Sequence, residues 1–135
     1  MNQYNPRRGP RPAAWLALDE QERIDLVQVY HRRGRVQHPS AMAHTIIHVI
    51  VENQIAMREA PAVRRVLHRL RTEGLSRHDA IHAIGNVLAV HLNAAVANSR
   101  DGIKPPEGSD LNQQYLADLE LLTAKAWLDQ TFRGV

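Results

Sequence analysis

The sequence predicts an all-α fold, a compact bundle of about five helices, and three observations support this prediction. Apolar residues recur three and four positions apart over long stretches, as they do on the buried face of a helix. No stretch shows the strict alternation of apolar and polar residues that indicates a half-buried strand. Prolines, glycines and capping residues divide the chain into segments of helical length.

The amino-terminal segment, residues 1–14, is predicted to be a disordered, mobile basic tail. It is rich in Pro, Arg, Gly and Asn and offers little to bury. Residues 15–135 are predicted to form a single helical domain, because a chain of 135 residues has the usual length of one domain. At this length roughly two-thirds of the unfolded surface can be buried, so folding need not depend on a metal ion.

The first two helices are predicted from a capping pattern and from hydrophobicity. Helix one starts at Asp19, which forms a capping-box pattern with Glu22, and ends at Gly34. Helix two opens at residues 38–40 and continues to about Ala60. Its sequence, AMAHTIIHVIVENQIAM, is apolar around most of its circumference, which predicts a central, buried helix.

Capping and breaking residues bound each of the last three predicted helices. Proline is tolerated in the first turn of a helix, and serine is a preferred N-cap. The loop SRDGIKPPEGSD contains too many helix breakers for a helix to cross it. The segments are helix three from Pro61 to Gly74, helix four from a Ser76 cap to about Asn98, and helix five from Ser109 or Asp110 to about Gln130.

Composition narrows the classes of function. Without cysteine, a bound metal would meet only imidazole and carboxylate ligands. The longest apolar run, Thr45 to Val51, is far shorter than the ~20 residues of a membrane helix, and no signal-peptide core is present. A cytoplasmic protein without a membrane partner is therefore expected. The net charge of +3 favours ordinary solvation over nucleic-acid binding.

Two rows of histidines spaced four residues apart are the strongest functional signal. His44, His48 and Glu52 lie within ~80° of arc on helix two, and His78 and His82 form a second row on helix four. Two imidazoles one turn apart can bind one ion. The 8 histidines in this chain would give roughly 0.5 such pairs by chance, against two found.

Topology is expected to bring the two rows together. The short connections around helix three predict an up-down-up arrangement in which helices two and four point the same way. Small residues that continue the second row, Gly85 and Ala89, would let another helix approach closely. The sequence therefore predicts a site for a divalent transition metal, zinc or iron, with Glu52 as a further ligand or as a partner that orients an imidazole. The predicted histidine ligands are His44, His48, His78 and His82.

His31 is a second-tier candidate ligand. It lies on the apolar side of helix one, near the start of helix two. The alternative for His31 is a core histidine whose hydrogen bonds are satisfied. The alternative for the two rows is a pair of solvent-facing stripes without a metal.

Catalysis has two weak candidates, Asp79 and Glu52. The string HDAIH resembles the HExxH motif of zinc peptidases, in which the glutamate activates a zinc-bound water. The side chain of Asp79 is one methylene shorter than the glutamate of that motif. No third ligand follows at the spacing found in zinc peptidases. The His78–Asp79 pair also resembles the dyad of the HD phosphohydrolases, although that dyad closes a helix and this one opens a helix. The number of ligands decides between a closed structural or storage site and an open hydrolytic or oxidative site.

A binding module without metal is the competing class of function. The segment RRVLHRLRTEGLSRHDAIHAIG can be placed on a helix-turn-helix motif that binds nucleic acid, with Gly74 in the turn. However, Leu70 is large where that motif needs a small residue, and the second helix is long and apolar. Strong salt dependence of DNA binding would identify this class. The wide apolar surface of helix two also leaves room for a homodimer.

From Trp15 to Trp127 the chain resembles a small, uncharacterised family of bacterial all-helical proteins. The resemblance depends on the strings YHRRGR, HTIIHVIVENQIA, EGLSRHDAIHAIG and LTAKAWL, which contain an HxxxHxxxE and an RHxAIHAIG pattern. It implies an all-helical fold and carries no assigned activity. The family pattern has glutamate where this chain has Asp79 and Val90, which weakens the catalytic interpretation and leaves the histidines intact.

Overall fold

The computed structural model describes residues 1–34, 41–57, 61–104 and 111–133, and this part of the chain contains seven helices and no strand. The all-α prediction is confirmed, although the helices outnumber the predicted five. Predicted helices one to four correspond to α2 to α5, and predicted helix five corresponds to α6 and α7 together. The helices are α1 (Pro12–Leu16), α2 (Glu20–Arg33), α3 (Ala41–Ala56), α4 (Pro61–Thr72), α5 (Arg77–Arg100), α6 (Leu111–Leu121) and α7 (Ala124–Arg133).

The two additional helices have separate causes. α1 crosses the predicted boundary between the tail and the helical domain, and it buries Trp15 completely. α7 is separated from α6 because side chains cap the start of a new helix. The Thr123 hydroxyl accepts a hydrogen bond from the amide of Ala126 (3.0 Å), and the Glu73 carboxylate accepts one from the amide of Ala124 (2.9 Å). Both bonds satisfy amides that have no partner within α7.

The predicted caps of α2 and α5 are confirmed. The amide of Glu22 donates to Oδ1 of Asp19 (2.8 Å) and the amide of Asp19 donates to Oε1 of Glu22 (3.1 Å), which completes the capping box. Ser76 Oγ accepts from the amide of Asp79 (3.1 Å). Gly74, between α4 and α5, has a φ of +111°, which residues with a Cβ rarely adopt. The caps predicted at 38–40 and 109–110 lie outside the described residues, as does the predicted end at residue 60.

α3 is the central helix, as predicted. It packs against α1, α2, α4 and α5, and it separates two apolar clusters. Val49 belongs to the cluster with α1 and α2, whereas Val51 belongs to the cluster with α4 to α7, and both side chains are fully buried. Each contributes about 1.5–3 kcal/mol by its removal from water. Ile47 and Ile50 are half-buried, and Ile46 is 40 % exposed.

The amino-terminal segment differs from the predicted mobile tail. Tyr4 is only 4 % exposed and packs in the same apolar cluster as Trp15 and Val27. The carbonyl of the buried Pro6 accepts a hydrogen bond from Nη1 of Arg77 (2.9 Å). Composition predicted a mobile tail because the segment is polar on average. Its one buried aromatic ring and one carbonyl contact fix it to the helices nonetheless.

α3 and α5 run in opposite directions, which corrects the predicted parallel arrangement. As α3 advances from His44 to Glu52, its contacts on α5 recede from His82 to Arg77. The predicted arrangement required α4 to run the full length of the bundle between α3 and α5. α4 has only 12 residues and packs against both helices, so it does not meet that requirement. The predicted close approach at Gly85 is confirmed. A Cβ built there would lie 2.9 Å from a methyl carbon of Ile47.

α5 is long and apolar enough to cross a membrane by length and composition alone. Its best 18-residue window has a mean hydropathy of 1.5 and is 33 % buried. One such helix is weak evidence, because the core helix of a soluble protein has the same properties. The first half of α5 lies in the core, with Ala80, Ile81 and Ile84 fully buried, whereas Val90 and Val96 in its second half are exposed.

Candidate metal centre

Five histidine rings gather where α2, α3 and α5 meet. His31 comes from the last turn of α2, and the other four come from the two predicted rows. The ring centroids of His78 and His82 lie 4.4 Å apart, and the His82 ring lies 5.2 Å from each of His44 and His48. The structure therefore brings together every histidine that the sequence analysis proposed as a ligand.

His48 lies at the centre of this histidine cluster. Only 2 % of the residue is exposed, because its side of α3 faces α2 and α5 rather than solvent. The alternative interpretation of this row as a solvent-facing stripe does not fit that burial. The centroid of the His48 ring lies 5.2 Å from that of His82, 5.3 Å from His31, 5.5 Å from His44 and 5.6 Å from His78.

Three of the five histidines are close enough to share one ion. His48, His78 and His82 each offer a ring nitrogen, and these nitrogens all lie within 4.8 Å of one another. Zinc bonded to nitrogen at about 2.0–2.1 Å in a tetrahedron places its ligand atoms ~3.3 Å apart. Small side-chain rotations would close that difference. Among the described residues, this grouping includes neither of the carboxylates proposed from the sequence.

The central ring lacks the hydrogen bonds that a buried imidazole normally makes. Neither nitrogen of His48 has a hydrogen-bond partner, and Nε2 of His78 has none either. A neutral imidazole always carries one N–H donor and one acceptor nitrogen. Each buried polar atom without a partner costs about 1–3 kcal/mol. A bound cation would supply the partner that the acceptor nitrogens lack.

The electrostatics of the cluster keep the imidazoles in their metal-binding form. Burial, followed by the neighbouring histidines with His82 first, lowers the pKa of His48 from 6.5 to about 2. Burial also lowers the pKa of His78, although the nearby Asp79 carboxylate opposes the shift. Both rings are therefore neutral at neutral pH, and the neutral ring is the one that binds metals.

Glu52 lies one turn beyond His48 but is engaged elsewhere. Its carboxylate accepts a bidentate pair from Arg77, Nη2 to Oε1 at 2.7 Å and Nη1 to Oε2 at 2.9 Å. The hydroxyl of Tyr4 donates to the same Oε2 at 2.5 Å. Glu52 is 1 % exposed, so its charge is neutralised by Arg77 rather than by water. Its observed role is to join α3, α5 and the amino-terminal segment.

Sequence reasoning missed Arg77, Tyr4 and Tyr30. A buried Glu52 needs a cationic partner, and Arg77 directly precedes the predicted ligand His78. Together these two facts indicate an ion pair between Glu52 and Arg77. Tyr4 is the one aromatic residue in a segment that composition describes as polar. Tyr30 packs its ring edge against the His78 ring, at 5.7 Å between centroids, and no sequence pattern marks that contact.

The remaining candidates lie at the margin of the cluster or outside it. Asp79 is half-buried in the first turn of α5, where its amide donates to the Ser76 cap. His31 is 9 % exposed, and its Nδ1 lies 3.3 Å from the hydroxyl of Thr45. His91 forms a separate pair with an aspartate of α6.

No protein-family model, curated protein or solved structure matches this chain. The chemistry of the site therefore has to follow from its own residues. Three imidazoles around a buried centre suit zinc, copper, iron or nickel, and they do not suit the oxygen-seeking magnesium or calcium. With three protein ligands, a tetrahedral ion keeps one position for another group.

Proposed function

We propose that the protein binds one divalent transition metal, zinc or iron, through His48, His78 and His82. One observation carries the proposal: the ring of His48 is buried among four other imidazoles, and neither of its nitrogens has a hydrogen-bond partner. An apolar side chain of similar size would fill the same space without leaving polar atoms unsatisfied. A bound ion gives this arrangement a physical reason.

The roles of His44 and Glu52 differ from those of the three ligands. His44 lies beside the proposed ion, with its ring 5.2 Å from that of His82 and 5.5 Å from that of His48. Glu52 acts from one turn away. By holding Arg77 it fixes α3 against α5, and so it fixes the two histidine rows against each other.

The proposal is tested by metal analysis of the purified protein and of single variants. A wild-type sample reconstituted with zinc or iron should hold one ion per chain, whereas His48→Ala and His82→Ala should each hold much less. The exposed His68 lies outside the cluster, so His68→Ala is the matched control and should retain the ion. Wild-type protein that carries no metal and takes none up would contradict the proposal.

Thermal unfolding gives a second measurement of the same site. A site built from two helices exists only in the folded state, so metal at 100 times its dissociation constant should stabilise the protein by ~2.7 kcal/mol. A chelator should abolish that increment in wild type and leave His48→Ala unchanged. Identical melting of the wild type with and without chelator would count against a bound ion.

The alternatives from the sequence have less support. In a helix-turn-helix protein the first turns of α5 would have to enter a DNA groove, yet Ala80, Ile81 and Ile84 in these turns are fully buried. A hydrolase of either resemblance requires an acid at the ion. Among the described residues, Asp79, the acid of both motifs, is not in the group that converges on one point, and Glu52 is paired with Arg77. The cytoplasmic location and a homodimer remain predictions.

A further inference from the structure

The proposed ion would carry charge that the site does not compensate. Imidazole binds a metal as a neutral ligand, and the charges of Glu52 and Arg77 cancel within their own pair. Asp79 lies at the margin of the cluster, and among the described residues its carboxylate is not in the group that converges on one point. A divalent ion in this partly buried cluster therefore favours an additional anionic ligand.

A cavity between α2 and α3 borders the histidine cluster at His31 and His44. Its volume is about 360 Å³, and His31, His44 and Thr45 are among the residues that line it. The exposed Arg32 also lines it and places a positive charge there, while Met42 and Ala41 line the start of α3. Positive charge at the wall of a cleft attracts anions towards it.

We infer that the coordination position left open by the three histidines is filled by one small monovalent anion, which enters from this α2–α3 cavity past His44. The inference deepens the proposed function and depends on it. His44 then borders the exchangeable position rather than closing it as a permanent ligand. The anion displaces metal-bound water, so the step is a ligand exchange without electron transfer.

Cobalt(II) and azide provide the test. Metal-free protein is loaded with cobalt(II), its cobalt content is measured, and azide is added while the visible absorption of the cobalt is followed. A saturable spectral change with one azide per cobalt is expected. Arg32→Gln should weaken azide binding several-fold, and Ala41→Trp, which narrows the cavity, should weaken it by about tenfold. Neither variant should change the cobalt content.

The controls separate this inference from the proposed function. Ala94→Trp adds the same ring on α5 beside a different cavity, near His91, and should bind azide like wild type. Protein that takes up no cobalt would refute the metal site itself. If the visible absorption of cobalt-loaded protein did not change when azide was added, only the exchangeable position would be refuted. Azide affinity unchanged in both Arg32→Gln and Ala41→Trp would overturn the proposed route.

Discussion

At the scale of single residues, His48 couples the histidine cluster to the stability of the fold. In the unfolded chain its pKa is the ordinary 6.5, and in the folded protein burial lowers that pKa to about 2. Between these values the unfolded state binds a proton that the folded state does not. Folding stability therefore rises with pH in this window and falls as the solution is acidified.

This difference predicts acid lability of the metal-free protein. From pH 6 to pH 4 the free energy of unfolding should fall by about 2–3 kcal/mol through His48, because one proton of difference corresponds to about 1.4 kcal/mol per pH unit. Urea unfolding in chelator at several pH values measures the slope. His48→Gln should flatten it, whereas His68→Gln, which alters an exposed histidine, should not. A slope equal in wild type and His48→Gln would contradict the assignment.

The residues of the candidate site were predictable where they belong to a repeating pattern. The HxxxH spacing identified His44, His48, His78 and His82, because helical periodicity alone places such pairs on one face. Glu52 was assigned to the ion because it continues the row. Its actual contacts depend on which charged residue of a distant segment meets it, and spacing along one helix carries no such information.

At the scale of helices, the sequence predicted starts and ends well where a side chain makes a local hydrogen bond. Asp19 and Ser76 cap the helices that they precede, since both bonds join residues only three apart. The predicted direction of α5 relative to α3 is wrong. The actual direction depends on how the short α4 packs against both neighbours, and that packing is decided by contacts across the whole bundle.

The contact between α3 and α5 gives a prediction at this scale. In Gly85→Ala the added methyl would lie 2.9 Å from Cγ2 of Ile47. Overpacking costs about 1–3 kcal/mol, whereas replacing a helical glycine by alanine gains about 1 kcal/mol. We therefore expect a net loss of roughly 1 kcal/mol of unfolding free energy.

A double-mutant cycle separates the two effects. In an Ile47→Ala background the clash is absent, so Gly85→Ala should become neutral or stabilising when measured by urea unfolding. Asn86→Ala, at the exposed neighbouring position, controls for helix propensity alone. If Gly85→Ala stabilised the wild-type background as much as the Ile47→Ala background, the close approach of the two helices would not be limiting.

At the scale of the whole molecule, the amino-terminal segment closes the structure. Tyr4 contacts α1 through Trp15, α2 through Tyr30 and α3 through His48, with ring centroids 5.7, 5.9 and 5.8 Å away. Its hydroxyl also reaches the buried Glu52. Composition could not predict this, because average polarity describes a segment and says nothing about one residue that fits a cavity between helices.

Removal of residues 1–9 is therefore expected to lower the free energy of unfolding by about 2–4 kcal/mol. Burial of one large side chain contributes about 1.5–3 kcal/mol, and a hydrogen bond to a charged group contributes about 1.5–3 kcal/mol. Rearrangement of the remaining chain recovers part of each contribution. Tyr4→Phe keeps the ring and loses only the hydrogen bond to Glu52, so it should cost less than the deletion. Gln3→Ala alters an exposed neighbour and serves as the control. Urea unfolding of the three variants measures the differences. If the tail were mobile, all three variants would be as stable as wild type. That outcome would also contradict the hydrogen bond from Arg77 to the carbonyl of Pro6.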